Sequence, residues 1–461
     1  MSAVHTKPKS LFEVSASPIP SRDEAQRTLE RAVKLSRADS IRVALNANRT
    51  TNLRFADNQM STAGATMDQQ LVVTSTFGKR HASVVTNDFS DAALERTVRQ
   101  AEALARLAPE DPEWLPALGP QQINNVEALF TGTADLTAED RARAAMTALG
   151  PARSAKDLKA AGFIIVATSA TAIANEQGSF AYHPATNANY TLTVRTTDGT
   201  GSGWAGAEAN DWRQIDFNAV SARAIEKARL SRNPVAIEPG RYTVILEPQA
   251  VADLVSLLAF SLDARSADEG RSAFTREGGG TKIGEKIVDQ RVTLFSDPAD
   301  AQLLAQPFDG QGFPLGRQVW VENGVLKQLF YSRFWAQKQG KVATGFPSSV
   351  KMEGGSTSTD EMIKSTERGV LVTRLWYLRQ VDPRTILYTG LTRDGTFLIE
   401  NGKMTKSLRN FRFNDSPLFM LNNVEALGPS QRVAGAESGG AIVMPTIKAR
   451  EFSFTSLSEA V

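Results

Sequence analysis

Cysteine is absent from all 461 residues. That absence excludes disulfides, thiolate metal ligands and cysteine nucleophiles. It fits a reducing compartment, so the expected location is cytoplasmic. Histidine is almost absent as well: only His5, His81 and His183 occur. None of the three has another histidine nearby, whereas a zinc site needs several converging N, S or O donors. Long apolar runs are also missing. The longest candidate, Val251 to Leu262, is interrupted by Asp253 and Ser256 and falls short of the ~18 residues of a membrane span. The N-terminal residues 1–20 lack the apolar stretch of a secretion signal and read as a polar arm. No charge of one sign dominates: 52 basic and 50 acidic residues leave a net charge of +2. This balance argues against nucleic acid or an anionic membrane as the main partner. Tryptophan is sparse, and no basic–aromatic interleaving points to nucleic acid.

What remains is an ordinary globular composition, 41% hydrophobic and 22% charged, long enough for two or three domains. Ser21 and Glu24 form a capping box ahead of a helical pattern through Ala25, Leu29, Ala32 and Val33. Extended runs follow at 41–47, 51–57, 69–78 and 81–86. Ser90 or Asp91 then opens a second helix. Residues 21–107 therefore read as an α-β-β-β-β-α unit. The four prolines of 108–120 mark a linker over 108–124. Residues 125–233 read as a middle α/β segment, with a helix opened by Thr137 and Asp140, strands at 162–170 and 189–197, and a helix over 218–230. From 234 to 461 strands dominate. Asn323-Gly324 and Asn401-Gly402 are type I′ hairpin turns, and Asp394-Gly395 reads as a third. A helix over 359–369 is expected, with Thr359 or Asp360 as cap and Gly369 at its C-cap. A helix over 249–265 follows the strand at 238–248; Val251, Leu254, Val255, Leu258 and Leu262 make its buried face. The fold class is α+β: an N-terminal α/β domain followed by a C-terminal domain built on a large, mostly antiparallel, twisted sheet.

Motifs for common chemistries fail on inspection. The segment 199–206 places Thr200, not glycine, two residues before Ser202, so it is no nucleophile elbow. In 278–286, Gly279 and Gly284 have P-loop spacing, but Glu285 stands where a lysine must be. The pairs Asp268-Glu269 and Asp360-Glu361 read as solvated loop and helix-start residues.

Positive information comes from an ordered set of segments: 239-PGRYTVILEPQAVADLV-255, 309-DGQGFPLGRQVWVENGVLKQLFYSRFWAQKQGKVATG-345, 365-STERGVLVTRL-375 and 396-TFLIENGKMTKSLRNFRFNDSPLFMLNNVEALG-428. Their order and spacing resemble the TldD/PmbA (TldE) family. The resemblance implies a peptidase assembled from two related subunits, one carrying H-E-x-x-x-H on the helix after the Pro239 strand and a later cysteine ligand. Here Val255, Ser256 and Phe260 occupy the motif positions. A zinc peptidase needs a metal to acidify water and a carboxylate to take its proton. The chain thus resembles the PmbA/TldE-like, metal-free subunit, with no catalytic or metal-ligating residue of its own. The implied partner is a TldD-like, zinc-bearing paralogue in a heterodimer; the implied substrate is an unfolded or precursor peptide. Gly345, Gly354 and Gly355, in the loop 343–355, permit close backbone approach and are candidate peptide-binding positions. Two other readings stay open: a homodimeric peptide-binding or scaffold protein of the same fold, and an enzyme with an unrecognised site.

Overall fold

A computed structural model describes residues 19–435 and 440–458. The first part builds one antiparallel sheet. Its elements are α1 (Arg22–Lys34), β1 (Ser40–Ala56), β2 (Gln59–Phe77), β3 (Arg80–Thr86), α2 (Asp91–Leu107), α3 (Thr131–Ala134), α4 (Ala138–Ser154), β4 (Leu158–Asn175), β5 (Phe180–Thr196), β6 (Ser202–Ala209) and α5 (Phe217–Leu230). The strand order is β3-β2-β1-β4-β5-β6. Alternation decides which face is covered. Ile41, Val43 and Leu45 of β1 pack beneath α1 and α2, while Leu53 and Phe55, on the same face further along the strand, pack beneath α4 and α5. Two helix pairs thus sit side by side on one face of a shared sheet.

Sequence reading fares well at the helix starts. Ser21 and Glu24 form the expected capping box, as do Thr137 and Asp140, and Ser90 caps α2. It misses the length of β1. The expected break at residues 48–50 does not occur, because Asn48 to Thr50 are paired with β2 on one side and β4 on the other. The fold is α-β-β-β-α there, with one strand fewer. The turn falls at Asp57-Asn58, both at positive φ, a conformation that Asp and Asn tolerate without glycine. Residues 108–124 carry no helix or strand. They strap the two parts together: Asp111 N–H donates to the Lys79 carbonyl, Arg265 pairs with Glu113 at 2.8 Å, and Arg333 donates to the Pro116 carbonyl.

The second part comprises β7 (Gly240–Leu246), α6 (Pro248–Phe260), α7 (Ala264–Asp268), β8 (Leu294–Ser296), β9 (Gln318–Glu322), β10 (Val325–Leu326), α8 (Arg333–Gln339), β11 (Val350–Met352), α9 (Thr359–Lys364), β12 (Arg368–Val372), β13 (Leu375–Asp382), β14 (Leu387–Thr392), β15 (Thr396–Glu400), β16 (Lys403–Ser407), β17 (Phe411–Asp415), α10 (Pro417–Asn422), β18 (Val424–Arg432) and β19 (Ile442–Leu457). Its strands form a 13-stranded sheet, antiparallel except for the β11–β19 and β7–β12 pairs. β19 is its spine. It pairs with β7, β11, β17 and β18, and eight consecutive residues, Ile442 to Ala449, are buried.

The Asn-Gly hairpins close β9–β10 and β15–β16 as expected, with positive φ at Asn323, Gly324, Asn401 and Gly402. Asp394-Gly395 does not close a hairpin: it joins β14 to β15, which pair with other strands. α9 ends at Lys364 and is capped by Ser358, not Thr359 or Asp360. Gly369 is a β12 residue rather than a C-cap; a Cβ there would lie 2.7 Å from the Thr243 carbonyl oxygen.

Candidate functional site

α6 follows β7 directly, with Glu247 at its N-cap and Pro248 in its first turn, a position where proline costs no hydrogen bond. Val251, Leu254, Val255, Leu258 and Leu262 are all buried in the main C-terminal core. Leu262 lies just beyond the helix, which stops at Phe260 rather than running to 265.

The three motif positions do not converge. Residues five apart lie about 140° apart on a helix. Val255 is fully buried and Ser256 nearly so, its hydroxyl donating to the Asp253 carbonyl at 3.4 Å. Phe260 is 48% exposed and contacts Phe346, which in turn meets Phe330 edge-on. Apolar replacement therefore serves the core at Val255 but not at Phe260. None of the three side chains offers a strong zinc donor, so this helix does not fit the metal. Among the described residues, no group of three or more His, Cys, Asp or Glu could hold a metal ion. His81 faces Asp111 at 3.9 Å. His183 is buried on β5, and burial pushes its pKa down to about 4, so it is neutral at ordinary pH.

The polar side of α6 faces the N-terminal sheet across a cleft of about 730 Å³. One wall is the helix-free face of that sheet, where Asn187, Asn189, Thr191 and Thr193 of β5 alternate with buried Ala188, Tyr190, Leu192 and Val194. The other wall is Gln249 and Asp253 of α6 with Arg374 and Trp376. Asp253 is 4% exposed and is held in place: it accepts from Gln249 at 3.1 Å and from the Leu375 N–H at 3.2 Å. Arg374 stacks over Trp204 at 4.7 Å and Arg393 over Trp376 at 4.0 Å. Asp394 anchors this pair, meeting Arg374 at 3.3 Å and accepting from the Ser202 hydroxyl at 2.7 Å.

Trp204 and Gln249 also line a second cavity of about 450 Å³, which reaches Lys227, Glu247 and Arg432. Lys227 and Glu247 pair at 2.5 Å. Arg432 of β18 meets Glu208 of β6 at 2.9 Å, and Asn189 donates to the other Glu208 oxygen at 3.1 Å. The two cavities share Trp204 and Gln249 and together make a trough whose lining mixes amide and hydroxyl groups with apolar side chains such as Phe163, Ile165 and Leu375. Such a lining matches extended peptide backbone, which presents a donor and an acceptor at nearly every residue.

The stretch 343–355, expected as a loop, contains β11, and its glycines lie elsewhere. A Cβ at Gly345 would meet Leu315 at 2.2 Å, one at Gly354 the Gly428 carbonyl at 2.5 Å, and one at Gly355 the Leu427 carbonyl at 2.4 Å. The close approach at all three is made by the chain itself, and none lines the trough. Sequence reasoning passed over the trough residues. The polar alternation of β5 was a usable signal for one wall; nothing local marked Arg374 or Trp376.

With this geometry in place, three family profiles account for most of the chain: PmbA/TldA metallopeptidase domain 1 over residues 42–105, the central domain over 133–232, and the C-terminal domain over 239–456. The chain belongs to the PmbA/TldD metallopeptidase family. It is similar to a metalloprotease of Methanothermobacter thermautotrophicus, at 26% identity over 58% of this chain and 61% of the relative. It is also similar to metalloprotease PmbA of Escherichia coli O157:H7, at 23% identity over 36% of this chain and 37% of that one. These alignments span less than two-thirds of either relative's length. In structure it resembles TldE from Thermococcus kodakarensis, with a TM-score of 0.83 at 19% identity, covering 93% of this chain and 99% of that one. Likeness at that identity establishes the shared PmbA/TldD fold. Among the described residues, no helix is long and apolar enough to cross a membrane.

Proposed function

We propose that this chain is the metal-free subunit of a two-subunit TldD/TldE-type metallopeptidase that degrades unfolded or precursor peptides in the cytoplasm. The observation that carries the reading is the occupancy of the motif helix by Val255, Ser256 and Phe260 in a chain without cysteine. Metal-assisted hydrolysis needs ligands and a general base, and a paralogous partner bearing H-E-x-x-x-H supplies both. This chain contributes the trough. Asn187, Asn189, Thr191 and Thr193 present partners for peptide N–H and C=O groups, and the flanking tryptophans add apolar contact for side chains.

The test combines metal analysis with a peptidase assay on the purified chain alone, on a zinc-bearing relative alone, and on the two mixed. The reading expects zinc and strong cleavage only where the relative is present, with this chain raising its activity. Stoichiometric zinc in this chain alone, or peptide cleavage by it alone, refutes the proposal.

A further inference from the structure

The helix-free face of the N-terminal sheet carries a second pocket, at the end away from the trough. Arg42 of β1 alternates with Ile41 and Val43, which pack beneath α1 and α2, so its side chain lies on the opposite face. Its direct neighbours on the flanking strands are Thr74 of β2 and Asn175 of β4, both neutral. The strap at 111–117 and the start of α8 close over it and bring in Arg333, around a cavity of about 370 Å³. Ile165 of the trough and Asn175 of the pocket lie on the same strand, roughly 33 Å apart at ~3.3 Å per residue. The two sites are separate, and the pocket does not depend on the reading of α6.

This pocket gathers two cations that the chain leaves largely uncompensated. Among the described residues, no hydrogen bond or ion pair engages the Arg42 guanidinium. Arg333 donates only to neutral acceptors, the Gln311 side chain at 2.9 Å and the Pro116 carbonyl at 2.8 Å. The acids in the lining have other partners: Glu113 pairs with Arg265 at 2.8 Å, and Asp111 faces His81 at 3.9 Å. Asp309 acts on both guanidinium groups through space, but its carboxylate accepts from the Gln311 and Phe313 N–H groups. Burial lowers the pKa of both arginines, and the charge on Arg42 lowers that of Arg333 further. Both stay charged at ordinary pH, and like charges taken out of water are costly until a counter-charge joins them. Thr76, 4% exposed, adds a hydroxyl with no hydrogen-bond partner among the described residues.

The lining also selects the kind of anion. Guanidinium forks match the paired oxygens of a carboxylate or phosphate. A bare inorganic ion needs no apolar wall, yet Trp114, Leu115 and Phe334 line the cavity, whose volume suits a small organic molecule. We propose that this pocket binds a small organic anion, its carboxylate or phosphate head held by Arg42, Arg333 and the Thr76 hydroxyl and its body resting against Trp114 and Phe334.

Calorimetric titration of the full-length chain with phenylphosphate, phenylacetate, inorganic phosphate and the cation phenethylamine tests this. Both aromatic anions are expected to bind saturably and more tightly than inorganic phosphate, and phenethylamine is expected not to bind. The tighter of the two aromatic anions tells a phosphate-bearing ligand from a carboxylate-bearing one. Arg42→Met should weaken both roughly tenfold or more, the worth of a charge-assisted hydrogen bond. Without any anion, Arg42→Met should keep or raise the urea midpoint, because it removes a repulsion and no hydrogen bond; an arginine with a merely structural role would lower it. Absence of saturable anion binding overturns the proposal, as does phenethylamine binding equally well. So does inorganic phosphate binding as tightly as the aromatic anions, undiminished binding by Arg42→Met, or a fall in that variant's midpoint.

Discussion

Arg432 is where the two halves of the chain hold each other across the trough, and its removal has a calculable cost. Its side chain is 12% exposed and that of Glu208 13%. Besides the 2.9 Å contact with Glu208, the guanidinium donates to the Asn210 side chain and, at 3.3 Å, to the carbonyls of Gln302 and Leu303. Arg432→Met preserves much of the apolar stem but strands a mostly buried carboxylate, leaving it only the Asn189 amide. Breaking one side of a buried pair costs about 3–5 kcal/mol, and the surviving amide bond places this case near the lower end, about 3 kcal/mol. Replacing both partners is far milder, because no charge is left unpaired. Glu208→Gln combined with Arg432→Met is therefore expected to lose only about 1 kcal/mol. Glu208→Gln alone leaves Arg432 its Asn210, Gln302 and Leu303 acceptors and is expected to cost about 1 kcal/mol, so the double change should cost about 3 kcal/mol less than the two single changes added together. Urea titration of the four proteins, followed by tryptophan fluorescence, measures it. Hydrogen exchange should also rise in β6 of Arg432→Met, since the guanidinium ties that strand to β18. Additive effects, with coupling below about 0.5 kcal/mol, refute the reasoning and make the pair no more than a solvated contact.

Further expectations concern buried ionisable groups and the helix that carries the motif. Burial holds His183 at a pKa of about 4, against an ordinary value near 6.5. The unfolded chain therefore takes up a proton first, and stability is lost as pH falls from about 6.5 to 4, by about 3 kcal/mol in all; His183→Gln should flatten that slope in pH-dependent denaturation. Asp415 moves the other way, pushed up to about 6 by burial although it accepts from the Ser416 and Ser453 N–H groups. Its ionisation penalty is present above pH 6 and relieved toward pH 4, so Asp415→Asn should be more damaging, relative to the unmodified chain, at pH 4 than at pH 8. Leu254→Ala on α6 should cost about 2–5 kcal/mol through the cavity it leaves, read as a lowered urea midpoint. Ser21→Ala removes the hydroxyl that accepts from the Glu24 N–H but keeps the residue-21 N–H that donates to the Glu24 carboxylate, and should cost about 1 kcal/mol, with increased exchange confined to the first turn of that helix.

Much of the local structure was legible because its causes are local. Ser21 with Glu24, and Thr137 with Asp140, satisfy their own helix starts, and Asn323-Gly324 and Asn401-Gly402 supply their own positive φ values. The misreadings share a different cause. β1 runs unbroken through Asn48 because strands on both flanks bind it. Asp394-Gly395 resembles a hairpin turn, yet the partners of β14 and β15 lie elsewhere in the sheet. Gly354 and Gly355 did mark close backbone approach, but only the position of β18 shows that the approaching backbone belongs to the same chain.

Residue identity alone settled the chemistry that Val255, Ser256 and Phe260 cannot perform, because a valine, a serine and a phenylalanine lack the imidazole and carboxylate groups of the family motif wherever they are placed. Packing decided everything that depends on neighbours distant in the chain. It buried Val255 while leaving Phe260 exposed, and brought β5, α6 and Arg374 to opposite walls of one trough. Among the described residues it also left the outer edge of β2 unpaired before Leu71. Those outcomes follow from which faces the sheets cover, and strand pairing over long sequence separations, not local preference, sets that.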